Sequence, residues 1–186
     1  DDRSAVFRLP EHVRRFYDSA HINLLDIPYP QEVTLAGEDF IPGREVTIVL
    51  DRNAPEGDRF AATELAGRLQ EEWGLKAEIA GAASGKSIIL TRKGIPKSIT
   101  GLPKKKALQG YQLSAGADQL VIRAMGEAGL YYGTQTLLQI IVQGQKGPMI
   151  PGMEITDWPD IAYRCAHYDT KHHQDRIETL KRYLDW

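Results

Sequence analysis

The side chains best suited to chemistry in this 186-residue chain gather near its C-terminal end. His167, Asp169, His172 and His173 lie within one short run, "AHYDTKHH". Imidazoles and a carboxylate are zinc ligands, and the first His and the Asp stand at strand alternation. The spacing matches no standard zinc site, and the two adjacent histidines point in different directions. A zincin requires His-Glu-x-x-His on a helix, and the sequence has none. No metal and no cofactor are therefore expected. A Gly-x-Ser-x-Gly elbow is absent, which leaves hydrolysis through such a serine unsupported. Gly-x-Gly-x-x-Gly and a P-loop are absent too, so nucleotide binding has no support.

Those residues need elements to hold them. "IAYRCAHYDTKHHQDRIETLKRYLDW" (161–186) reads as a strand, a polar turn and an amphipathic helix. Ile177, Leu180, Tyr183 and Leu184 give that helix an apolar face that needs a neighbour. Upstream, "EVTL" (32–35) and "REVTIVLD" (44–51) read as strands, the second β-branched and buried. A helix follows, with Ala62, Leu65, Ala66, Leu69 and Trp73 on one face and Gly74 as its stop. Asn53 with Glu56 suggests a capping box, with Asp58 as a rival cap. "LKAEIAG" and "GKSIILTRKG" are further strands. Residues 95–109 read as a loop, and the "KKK" at 104–106 as solvated charge. Tyr111–Ser114 and Gln119–Ala124 flank "AGAD", a hairpin signal. A second helix carries Leu130, Leu137, Leu138 and Ile141 as its stripe, with Gly144 closing it. Gly129 and Gly133, four apart, suit close packing of helix on sheet. A last strand leads into a Pro-bounded connector that includes Trp158.

This order of strands, hairpin and crossover helices predicts an α/β, α+β-like layer: a mixed β-sheet with helices packed on one face. Composition agrees, with 42% hydrophobic and 26% charged residues and a formal net charge of -2. That balance gives no sign of a nucleic-acid partner. No apolar run approaches the length of a membrane span. The opening "DDRSAVFRLP" lacks the basic and apolar regions of a signal peptide. The single cysteine, Cys165, forbids an intrachain disulfide.

Two phrases carry a family resemblance. "EAGLYYGTQTLLQII" (127–141) resembles the late helix of the N-terminal domain in glycoside hydrolase family 20, the β-N-acetylhexosaminidases. "ITDWPDIAYRCAHYDTKHH" (155–173) looks like that family's junction, where Ile-x-Asp-x-Pro precedes an aromatic–Arg pair opening the first barrel strand. "REVTIVLDRNAPEGDRFAATELAGRLQEEWG" (44–74) is similar to its early strand–helix unit. The resemblance implies an accessory domain over 1–155. It implies that 156–186 are a linker and the first strand–helix unit of a (β/α)8 barrel.

The resemblance also implies a chemistry. Terminal N-acetylhexosamines are removed with retention, the substrate's own acetamido oxygen acting as nucleophile. The family's Asp-Glu pair sits on a later barrel strand. Here "Asp-Glu" occurs nowhere, and "Glu-Asp" only at Glu38–Asp39, so no catalytic residue is expected in this chain. Substrate-binding roles fall by resemblance on Arg164 and Asp169. A guanidinium offers a rigid fork of donors to vicinal hydroxyls, and barrel strand ends face the active site. Lys171 replaces the family's usual Arg and loses bidentate bonding. The implied partners are a glycan ending in N-acetylhexosamine and, within the same protein, the barrel itself. A periplasmic or secreted location is expected, with the cytoplasm as the alternative. Two other readings stand beside this one. One is a self-standing carbohydrate-binding or interaction module. The other is the front domain of a different barrel glycosidase, such as an α-glucuronidase.

Overall fold

A computed structural model of the protein describes residues 32–35, 37–160 and 176–179. Arg164, Asp169, His167, His172 and His173 lie outside the described residues, as do Leu180, Tyr183 and Leu184 of the expected final helix and the first thirty-one positions. The elements run β1 (Glu32–Leu35), β2 (Glu45–Val49), α1 (Glu56–Trp73), β3 (Lys76–Ala80), β4 (Ser87–Thr91), α2 (Lys97–Thr100), α3 (Lys104–Ala107), β5 (Tyr111–Ala115), β6 (Gln119–Ala124), α4 (Glu127–Ile140), β7 (Val142–Gly144), β8 (Gly147–Met149) and β9 (Met153–Asp157).

Seven strands form one mixed sheet in the order β1-β9-β5-β6-β4-β2-β3. The block β6-β4-β2-β3 is parallel, while β5 runs antiparallel between β6 and β9. Strand alternation divides the faces. Ile48, Ile88, Ile122, Leu113 and Ile155 are buried on one face beneath the helices. Gln112, Ser114, Gln119 and Glu154 populate the other, and Gln112 donates to Glu154 at 2.9 Å. The two long helices lie side by side on the apolar face, which is the layer the periodicity predicts.

Helix α1 buries Ala61, Ala62, Leu65 and Leu69. Its stop is as read: Gly74 adopts φ 64, a left-handed conformation that glycine takes at little steric cost. Gly74 N–H then donates to Gln70 and Leu75 N–H to Leu69, satisfying terminal carbonyls. Gly67 lies on the exposed side of α1 with open space where a Cβ would go. Gly67→Ala removes unfolded-chain entropy at no steric cost. It is expected to raise the unfolding free energy by about 0.5–1 kcal/mol, read by urea denaturation.

The expected capping box does not form. Pro55 occupies the N-cap with no side-chain cap, and Asn53 instead donates its own N–H to Asp51 at 2.9 Å. Residues 95–109 are not a plain loop, because Pro96 and Pro103 each open a single helical turn that buries Ile99 or Ala107. Helix α4 ends before Gly144. Ile141 is already extended, with ψ 130, and Val142–Gly144 turns back on Gly147–Met149 as a small hairpin. The branched residues Ile140, Ile141 and Val142 suit either state, which hid the switch from periodicity.

Candidate functional site

Strand order creates the most distinctive place in the described chain. After β2 the chain returns along α1 to β3 on one side, while β4 lies on the other side of β2. From β3 it reaches β4 through residues 81–86 alone, a short link for a parallel crossover. That link passes over the open face of β2, where Thr47 donates its hydroxyl to the Ser84 carbonyl at 3.0 Å. The two connections thus cover opposite faces, and the carboxyl ends of β2 and β4 form a topological switch point. A crevice of about 490 Å³ opens there. Val49, Ile89 and Pro55 supply apolar lining, and Asp51, Asn53 and Lys93 supply polar groups.

Beside the crevice stands an ion-pair cluster. Arg92 follows the last residue of β4. Its Nε and Nη2 donate to the two oxygens of Asp58 at 2.8 and 2.6 Å, a bidentate pair. Nη1 donates to the Met125 carbonyl at 3.2 Å, and Nη2 lies 3.7 Å from Glu127. The Asp58 side chain is 4% exposed and that of Arg92 31%. The hydrogen bond to Asp58 holds the guanidinium above its ordinary pKa, against the opposing effect of burial. Both helices begin at this end of the sheet. Their first turns carry Glu56, Asp58 and Glu127, acids placed where the helix dipoles favour them. Arg92 thereby joins β4 to both helix N-termini. Sequence reasoning took Asp58 for a cap and missed Arg92; a first-turn acid and a strand-end Arg were its only local traces.

The chain leaves the sheet at the same end. Tyr111 donates to Asp157 at 3.3 Å, and Lys106 to Asp160 at 3.2 Å. Trp158 is half-buried against Gly110, where a Cβ would lie 3.5 Å from the Trp158 Cβ. On the helical layer, Phe60 is 59% exposed and its ring lies 5.8 Å from that of Tyr131. Tyr132 turns inward to the core, so the two adjacent tyrosines divide between surface and core. One turn beyond Tyr131, Gln135 Nε2 is buried with no hydrogen-bond partner.

These features supply no catalytic pair. Of the crevice carboxylates, Asp58 is tied to Arg92. Asp51 accepts from Asn53 N–H and lies 3.9 Å from Lys93. Among the described residues no group of three His, Cys, Asp or Glu side chains is placed to hold a metal ion, and no helix is long and apolar enough to cross a membrane.

Known proteins share this architecture. A β-hexosaminidase of Porphyromonas gingivalis (strain ATCC BAA-308 / W83) is 30% identical over 168 residues, covering 86% of this chain and 20% of that protein. An N,N'-diacetylchitobiase of Vibrio harveyi is 28% identical over 138 residues, covering 73% of this chain and 15% of the relative. The chain therefore spans a fifth or less of these two relatives. The solved GH20 β-N-acetylhexosaminidase of Streptomyces coelicolor A3(2) superposes with a TM-score of 0.67 at 25% identity, covering 86% of this chain and 31% of that one. Residues 26–158 match the family model described as glycosyl hydrolase family 20, domain 2. On that match, and on a sheet and helix layer shared with solved members, the chain belongs to glycosyl hydrolase family 20.

Proposed function

We propose that this chain is the non-catalytic domain preceding the barrel of an enzyme that removes terminal N-acetylhexosamine residues from glycans, by the substrate-assisted retaining route. The observation that carries the reading is the domain-2 match over 26–158, in a sheet whose described carboxylates form no acid–base pair across a cavity. The domain boundary is proposed near residue 155, within the last sheet strand β9 (Met153–Asp157), with the residues that follow β9 up to 186 opening the barrel. Within that stretch Arg164 is assigned to sugar hydroxyls and Asp169 to the strand end facing the substrate. The enzyme is placed in the periplasm or outside the cell.

The barrel is proposed to cover the helical layer. Phe60 is 59% exposed there, with the half-buried Tyr131 ring beside it, an aromatic pair that a packed neighbour would cover. Gln135 Nε2, a buried donor without an acceptor, lies on the same flank of α4.

An aryl N-acetyl-β-glucosaminide assay tests the reading. The 186-residue chain is expected to release no chromophore. The same chain extended through its downstream coding sequence is expected to release it, and to lose most kcat/KM on Arg164→Ala. Chromophore release by the 186-residue chain alone would sink the non-catalytic assignment. A stop codon soon after Trp186 would sink the barrel.

A further inference from the structure

We propose that the crevice at the carboxyl ends of β2 and β4 binds a neutral, hydroxyl-rich ligand about the size of one sugar ring. This goes beyond the barrel reading and does not depend on it, since every residue involved belongs to the described sheet domain.

Three observations converge. The first is topological. In open sheets with parallel strands, ligands bind outside the strand carboxyl ends where the connections diverge. Here the α1 crossover and the 81–86 crossover diverge over opposite faces, and their divergence opens the crevice. The second is size and lining. About 490 Å³ lies within the range of small-molecule sites. Val49, Ile89 and Pro55 offer an apolar surface that suits the C–H face of a pyranose.

The third is charge. Each full charge lining the crevice has its opposite beside it. Arg92 is bound by Asp58 at 2.6 and 2.8 Å, and Lys93 lies 3.9 Å from Asp51. An anion entering the crevice meets Asp51, and a cation meets Lys93. A polyol satisfies both, because its hydroxyl hydrogens reach the Asp51 carboxylate while its oxygens accept from Lys93 and the Asn53 amide. The Lys93 side chain is 88% exposed and that of Asp51 62%, so these contacts compete with water. The expected Kd is on the order of a few millimolar for a ligand of that size.

The test is a titration of the ¹⁵N-labelled 186-residue chain with glucose, with N-acetylglucosamine and, separately, with inorganic phosphate, followed by amide chemical shifts. Saturable shifts confined to residues 49–55, 81 and 89–93 are expected with at least one sugar and not with phosphate. Asp51→Ala and Lys93→Ala are each expected to raise Kd about two- to threefold, the low end for one polar contact, because both side chains compete with water. Lys93→Ala guards against a folding artefact, because that side chain is almost wholly in water. Non-saturating shifts, shifts centred elsewhere, saturable binding of phosphate, or an unchanged Kd in both variants would overturn the proposal. Failure here leaves the hexosaminidase reading intact, and chromophore release by the chain alone leaves the crevice intact.

Discussion

Gly129→Ala is expected to cost about 2 kcal/mol of unfolding free energy, although alanine is the better helix former by about 1 kcal/mol. The reason is the approach of α4 to the sheet. A Cβ at Gly129 would fall closer than 3.0 Å to the Gly110 carbonyl oxygen, with Ala124 Cβ and the Gln109 carbonyl carbon at 3.1 Å. Two of those three neighbours are backbone and cannot rotate away. One turn later, a Cβ at Gly133 would fall closer than 3.0 Å to Ile122 Cγ2, with the Tyr111 ring at 3.2 Å. The two glycines thus let the helix settle onto β5 and β6, and an added methyl must lift it. Lifting α4 loosens the burial of Leu130 and Leu137, both fully buried, so the cost is overpacking plus lost apolar contact. Urea denaturation should give opposite signs for Gly129→Ala and for Gly67→Ala. Stabilisation by both would mean that helix propensity, not close approach, governs α4, and the packing account would fall.

The spacing of those glycines was legible because helix geometry alone places residues four apart on one face. The α1 stripe of Ala62, Leu65 and Leu69 and the β5–β6 hairpin were legible for the same reason, since their signals repeat within a few residues. The β7–β8 hairpin was not. Its strands are three residues each, too short for alternation to separate from the end of the helical stripe. The turns at Pro96 and Pro103 were hidden likewise, because four residues carry no period. The crevice was illegible for a deeper reason. It exists because β4 lies on the far side of β2 from β3, and nothing in either strand's own residues states that order. Arg164 and Asp169 rest on the family junction alone, outside the described residues.

The Asp58–Arg92 pair is expected to break asymmetrically. Arg92→Ala leaves a carboxylate whose side chain is 4% exposed without the cation that pairs it, and with Glu127, a second carboxylate, losing the same guanidinium. Stranding a buried charge costs about 3–5 kcal/mol. Asp58→Ala strands a guanidinium that is 31% exposed, still bonded to the Met125 carbonyl and near Glu127. It can also turn toward water, so about 2 kcal/mol is expected, between the values for exposed and buried pairs. The double variant removes both charges and should cost less than the sum of the two, because neither group remains stranded. A double-mutant cycle by urea denaturation supplies all three numbers. The asymmetry is the informative part: it follows from unequal burial, not from the strength of the bond both variants lose. Equal single costs with no coupling would mean that the two residues act independently. The account of Arg92 as the tie between β4 and the two helix N-termini would then be wrong.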